Sequence, residues 1–487
     1  MSVAPEPVPL SALLRGHAAT APDGPAITAD GRTLSWRELE ARTNRVARAL
    51  IARGVKPDDL VTIVLPNGAA FLEACFACWK AGATPQPASV RAPAAELAAL
   101  IALADPAFVV ADPGVAIAAR PRATYDELLA AEADDSPPPD RVAGAWKALG
   151  SGGSTGRPKL IVSTSRAVAQ SPLGWRLAAD DVAVMPGPLY HNGPFATAIA
   201  AMTAGAHLVI LPRFDAEAVL RAVDAHHATW LYLVPTMMGR IWRLPDDVKA
   251  RYAMASLRTV WHLAAPCPPW LKAAWIEWLG PEVIWELYAA TEGLAGTVIN
   301  GTEWLEHRGS VGRVFTGAVK IVREDGADAP AGVVGEVYMR QSDGAPETYR
   351  YVGAEARRLG GWQSLGDMGW MDADGYLYLA DRRADMILVG GSNVYPAEIE
   401  AALEEHPQVR SCAVIGLPHE DLGSAVHAIV QPAPELDIDD LRDFLSRRLS
   451  AYKRPRTYEL VDQPVRDDAG KVRRSQLVAE RLQPQDG

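Results

Sequence analysis

The chain has 487 residues, 49% of them apolar and 22% charged, with a net charge of −11 and 4 cysteines. That length exceeds one ordinary hydrophobic core and predicts two or more domains. The acidic balance, without a long basic run, argues against a nucleic-acid partner, and so few cysteines exclude a disulfide framework and fit a reduced, cytoplasmic compartment.

In chain order, "MSVAPEPVPL" has neither the basic nor the apolar segment of a signal peptide. Residues 31–67 read as strand, helix, turn and strand, with Leu39, Val46, Ala47 and Leu50 on one helical face. "FLEACFACWKAG" is an apolar helix, so Cys75 and Cys78 are expected as buried thiols despite their C-x-x-C spacing. Residues 193–212 are apolar enough to raise a membrane span. Gly205, His207 and the small residues instead predict a buried helix followed by a buried strand, and no integral membrane segment. Strands and helices continue to alternate, which indicates an α/β fold with parallel sheets.

After about Glu303 the texture changes to short strands with glycine turns, the pattern of an antiparallel β region. The last hundred or so residues read as a small α+β unit. The expected division is 1–381, a large domain of parallel sheets flanked by helices plus a β-rich subdomain; 382–385, a hinge; and 386–487, a small mobile domain.

"GSGGSTGRPKL", residues 150–160, is the most informative stretch. A Walker-type loop places lysine directly after its last glycine and opens a helix. Here Arg157 and Pro158 intervene before Lys159, and "LIVSTS" favours a strand. The loop is therefore expected to join two strands as a flap. Gly152, Gly153 and Gly156 permit close backbone approach; Ser151, Ser154 and Thr155 add hydroxyl donors; Lys159 adds charge. The predicted ligand is a polyphosphate.

This string resembles the phosphate loop of the adenylate-forming superfamily, which includes acyl-CoA synthetases, peptide-synthetase adenylation domains and luciferases. Other matches follow in the family's order: "PLYHNGP" at 188–194, "LAAP" at 263–266, "LYAATEG" at 287–293, "SLGDMG" at 364–369, "DRRADMILVGGSNVYPAEIE" at 381–400 and "AGKVRRSQL" at 469–477. The resemblance implies ATP, Mg²⁺ and coenzyme A as cofactors, and a small-molecule carboxylic acid as substrate. It places the nucleotide against Ala265, Pro266, Glu286, Tyr288, Ala289, Thr291, Asp367 and Arg382. Tyr288 would offer its ring to adenine, Thr291 a donor to the α-phosphate, Glu292 a hard oxygen ligand to Mg²⁺, and Asp367 with Arg382 would hold the ribose. Lys471 is expected to stabilise the charge that spreads when a carboxylate attacks the α-phosphorus. His191, Thr291 and Glu292 join it in the catalytic set. The acyl pocket is expected from Tyr190, His191, Gly193, Phe195, Met237, Met238, Ala264 and Ala289, with Gly193 leaving room for bulk.

The resemblance also implies that the small domain turns about Ala384, so that Gly390 and Gly391 come to line a tunnel for pantetheine. Ala289, Leu160, Ala384 and Val465 depart from the family's usual residues, and the one at Ala384 removes the side chain that commonly guides the hinge. The acyl motif lacks the Asp with which peptide-synthetase domains pair an amino group. Eight of 14 tryptophans lie between Trp230 and Trp304, most of them expected in the core, and the surrounding segments look like the bile-acid CoA ligase branch. A bulky apolar acid of steroid or terpenoid type is the expected substrate. The alternatives are adenylation alone, transfer to an acyl carrier protein, and a nucleotide-binding protein without catalysis; the basic groups Lys453, Arg454 and Arg456 would suit either the phosphates of CoA or an acidic carrier.

Overall fold

A computed structural model describes residues 8–117, 121–152, 158–383, 385–389, 392–467 and 470–482. Gly153, Ser154, Thr155 and Gly156 of the flap, Ala384, and the tunnel glycines Gly390 and Gly391 lie outside the described residues. For Ser151, Gly152 and Arg382 the backbone is described.

The apolar runs of the first three hundred residues become buried parallel strands, as their lack of alternation predicts. Pro25–Ala29, His207–Ile210, Val182–Met185, Trp230–Leu233, Thr259–Leu263 and Ile284–Ala289 pair in that order, all parallel. The same sheet then turns antiparallel through Gly296–Asn300, Ser310–Thr316 and Tyr376–Arg382, and on to Trp362–Met371, Gly335–Arg340 and Ala318–Val322. A second parallel sheet holds Leu60–Val64 between Thr84–Pro87 and Phe108–Ala111. The fold is thus the mixed α/β architecture expected, with a β-rich region following the parallel sheets.

Helix Trp36–Ala52 begins with a capping box, Ser35 and Glu38 exchanging side-chain-to-backbone bonds. Leu39, Val46, Ala47 and Leu50 are fully or nearly fully buried. Helix Ala69–Ala81 is enclosed on all sides, with Cys75 and Cys78 as buried free thiols whose pKa values are raised by burial. Residues 193–212 form helix Asn192–Ala204 and strand His207–Ile210, both inside the fold. No helix among the described residues is long and apolar enough to cross a membrane.

A separate hydrophobic cluster, including Ile387, Val394, Leu403, Val414 and Leu445, forms the core of the C-terminal α+β region. Beside it lies a buried charge network. Glu400 accepts from Arg466 and Arg474 at 2.7 Å each and from the Val414 N–H, and Arg474 also reaches Asp385 at 2.9 Å. The two arginines hold Glu400 below the ordinary carboxylate range despite its burial.

Candidate active site

Ligands of open α/β sheets bind at the carboxyl ends of parallel strands. Four segments leave the main sheet at that edge. Strand Val182–Met185 runs into the loop bearing Tyr190 and His191; Trp230–Leu233 is followed by the helix bearing Thr236; Thr259–Leu263 by Ala264–Pro266; and Ile284–Ala289 by Thr291 and Glu292. Ala264 holds φ +78, a left-handed conformation that costs a non-glycine residue about 1 kcal/mol or more and recurs at functional turns.

The flap arrives from a third sheet. Ala148–Gly152 pairs antiparallel with Pro158–Ser163, which pairs in turn with Tyr349–Val352. The loop therefore joins two strands, as the sequence predicts. This sheet brings Lys159 Nζ to 3.7 Å from Glu292 Oε1. Tyr351 Oη donates to the same carboxylate oxygen at 2.6 Å, and Thr348 Oγ1 donates to the Glu292 carbonyl at 2.7 Å. Lys159 Nζ also lies 4.0 Å from the centre of the Tyr351 ring. Burial, with Glu292 adjacent, pushes the Tyr351 phenol well up, so it acts as a donor.

Tyr288 Oη donates to Asp367 Oδ2 at 2.6 Å. Asp367 and Arg382 are register partners on neighbouring strands. Glu286 is directed elsewhere: it is 5% exposed and accepts from Lys272 Nζ at 2.6 Å. Burial raises its pKa and Lys272 opposes the rise. Its carboxylate is therefore held in the core, and only its backbone is left to meet a nucleotide.

Lys471 is exposed and sits on a turn in which its N–H donates to Asp467 Oδ1 at 2.9 Å. The preceding Gly470 packs against Thr236 and Ala265, so the turn rests on the same sheet edge. Arg473 reaches Glu96 at 3.1 Å, and Arg243 donates to the Glu404 carbonyl at 3.2 Å, adding two further bonds between the C-terminal region and the rest.

The proposed acyl residues are split. Tyr190 and His191 are half-buried, with rings 4.6 Å apart, and Ala264 and Ala289 are exposed at the site. Phe195, Met237 and Met238 are enclosed in the main core. The room expected beside Gly193 is taken: a side-chain carbon there would come within 2.7 Å of Tyr232 Oη and 2.9 Å of Leu263 Cδ1. Trp230, Trp261, Trp275 and Trp304 are also core residues. Of the expected basic patch, Lys453 pairs with both oxygens of Glu398 at 2.7 Å, and Arg454 bonds the Leu449 and Ser446 carbonyls.

Several contributors had no motif to announce them. Tyr351, Thr348 and Thr236 reach the site only through sheet pairing and helix placement. Lys147 did leave a signal, a charge next to an otherwise apolar strand in "AWKALG". It is buried and donates to Asn192 Oδ1.

Residues 14–349 match the AMP-binding enzyme family and residues 398–471 the C-terminal domain of the same enzymes. A feruloyl-CoA synthase of an Amycolatopsis species is 32% identical over 95% of this chain and 96% of its own length. The fatty acid–[acyl-carrier-protein] ligase ScoC of Streptomyces coeruleorubidus is 30% identical over 95% and 94%. The o-succinylbenzoate CoA synthetase of Bacillus subtilis, solved with its acyl-adenylate intermediate, superposes with a TM-score of 0.82 at 25% identity, covering 96% of this chain and 97% of that one; it has also been solved with ATP and magnesium. The chain belongs to the AMP-binding enzyme family, the adenylate-forming ligases.

Proposed function

We propose that the protein is an acid–thiol ligase that converts a carboxylic acid, ATP and coenzyme A into acyl-CoA, AMP and pyrophosphate. In the first step a carboxylate oxygen attacks the α-phosphorus, a P–O bond forms and pyrophosphate leaves. In the second the CoA thiolate attacks the acyl carbonyl, a C–S bond forms and AMP leaves. The observation that carries this reading is the meeting of Lys159 with Glu292, at the sheet edge where the turn preceding Lys471 also rests.

The residues take these roles. The flap from Ser151 to Lys159 holds the polyphosphate; Glu292 would hold Mg²⁺, which neutralises phosphate charge when bound. Tyr288, Asp367 and Arg382 take adenine and ribose, and Thr291 donates to the α-phosphate. Lys471 stabilises the adenylation transition state, assisted by His191 at the acyl entrance. The small domain, 386–487, turns at 382–385 about Ala384, withdrawing Lys471 and bringing Gly390 and Gly391 to the pantetheine.

The acid is apolar and ring-bearing. The steroid- or terpenoid-like acid of the bile-acid branch remains the sequence's preference, although the core packing of the tryptophans and the filled space at Gly193 weaken the argument for bulk. An aromatic acid is the second reading, favoured by the feruloyl and indoleacetate relatives. ScoC keeps a carrier-protein thiol open as acceptor. AMP release from ATP in the presence of cholate, ferulate, indole-3-acetate or laurate, with and without CoA, tests all of this. Acid-dependent release stimulated by CoA is expected; release with none of them contradicts the reading.

A further inference from the structure

Lys147 immediately precedes strand Ala148–Gly152, which leads into the flap. It is only 6% exposed. Its ammonium group donates to Asn192 Oδ1 and lies 4.2 Å from the centre of the Trp146 ring. Trp146 stacks on Phe195, ring centres 5.8 Å apart and planes within 14°. Asn192 and Phe195 both belong to helix Asn192–Ala204, whose cap residue His191 makes no side-chain capping bond. Lys147 therefore sits between the flap strand and the amino end of the helix that opens the acyl segment. Its partners are a neutral amide and a ring, and no carboxylate of the described residues makes an ion pair with it. Glu292, a carboxylate that acts on it electrostatically, is engaged by Lys159 and Tyr351. Burial holds the Lys147 pKa down at about 7, opposed by Glu292.

A buried ammonium group without a counter-ion is costly. Helix amino ends add positive potential of the same sign. An arrangement of both is poised for an anion, and the reaction's own substrate is one.

We propose that Lys147 and Asn192, at the start of helix Asn192–Ala204, form a subsite that anchors the carboxylate of the incoming acid. This rests on the acid-activating reading above. The Lys147 ammonium pairs with the free carboxylate, and Asn192 fixes the direction of the ammonium. When the carboxylate becomes the carbonyl of the mixed anhydride its charge is gone, and the ion pair with it. The ion pair persists through the attack and is lost only in the acyl-adenylate, so Lys147 stabilises the bound acid and the transition state alike and acts on KM and little on kcat. The same charge disfavours α-amino acids, whose ammonium group would meet it.

The test uses Lys147→Met, Lys147→Gln and Lys147→Arg with whichever of cholate, ferulate, indole-3-acetate or laurate the unmodified enzyme activates. Acid-dependent ATP–pyrophosphate exchange gives KM for acid and for ATP, and kcat. The expected result for Lys147→Met and Lys147→Gln is a KM for acid raised by at least about 30-fold, the scale for losing one partner of a buried charge pair. KM for ATP and kcat stay within about threefold, Lys147→Arg recovers part of the loss, and affinity for the sulfamoyl-adenosine analogue of the same acid, which lacks the carboxylate charge, is unchanged. An unchanged KM for acid in folded variants, or a parallel loss of all four quantities as a purely structural lysine would give, overturns the proposal. Absence of exchange in the unmodified enzyme with every acid would instead overturn the acid-activating reading, and this subsite with it.

Discussion

Gly470 and Thr236 are in contact between the C-terminal turn and the helix that follows strand Trp230–Leu233: a side-chain carbon on Gly470 would come within 2.5 Å of Thr236 Oγ1. Gly470 also holds φ +76, where an L side chain is strained. Both constraints act on the residue directly before Lys471, so close approach of that lysine's turn depends on the missing side chain.

Gly470→Ala is therefore expected to disfavour the arrangement that adenylates, while leaving the other arrangement intact. Acid-dependent pyrophosphate exchange should fall by about tenfold or more, the effect of roughly 1.4 kcal/mol at the transition state. Thioester formation from supplied acyl-adenylate and CoA should stay near that of the unmodified enzyme. Equal loss in both assays would show that the contact serves general folding.

Glu292→Gln removes the charge that faces Lys159 and the oxygen proposed for Mg²⁺. The expectation is a loss of about 100-fold in kcat for adenylation, the scale for losing one preorganised electrostatic group. The magnesium concentration at half-maximal rate should rise. Tyr351→Phe, which takes only the hydrogen bond at 2.6 Å, should cost much less. Magnesium titrations of the three proteins check this.

Asp367→Asn should raise KM for ATP by about tenfold with KM for the acid unchanged, because a ribose contact is worth about 1.5 kcal/mol when the acceptor is charged. Tyr288→Phe frees the Asp367 oxygen from its 2.6 Å bond and should raise KM for ATP by only about two- to threefold. A change in KM for acid in either variant would move this patch from the sugar to the acyl pocket.

The alternation of strand and helix was readable because buried parallel strands are short uninterrupted apolar runs, as in Val182–Met185 and Trp230–Leu233. The flap was readable from Pro158, which forbids the helix that a Walker loop needs. Long-range partners were not. Nothing near Tyr351 announces that its strand lies beside Pro158–Ser163, and only that pairing delivers its hydroxyl to Glu292. Gly193 misled for a related reason: a small residue signals close approach, and what approaches is Tyr232 on strand Trp230–Leu233. Glu286 lies two residues before Tyr288 on one strand, hence on the same face, yet it reaches back to Lys272 and its charge is absorbed in the core.

Acid should destabilise the fold through its histidines. His207 bonds Thr28 Oγ1 at 2.8 Å and faces His226; burial, with His226, lowers its pKa from 6.5 to about 4. The unfolded chain takes up a proton near pH 6.5 and the folded one only near 4, so stability is intact above about 6.5 and falls progressively as pH drops through that window. Because His207 is only partly enclosed, its share is on the order of 1 kcal/mol. His17, His262 and His427, also lowered mainly by burial, act in the same direction. Melting temperatures at pH 7.5 and 5 should fall less for His207→Gln than for the unmodified protein.

The most direct measurement follows the oxygen atoms. The acid is supplied with both carboxylate oxygens replaced by the heavy isotope, and the products of one turnover with ATP, Mg²⁺ and CoA are weighed by mass spectrometry. Attack of the carboxylate on the α-phosphorus predicts one heavy oxygen in AMP and one in the thioester. Heavy oxygen in inorganic phosphate beside ADP, or in pyrophosphate beside unlabelled AMP, would contradict the account.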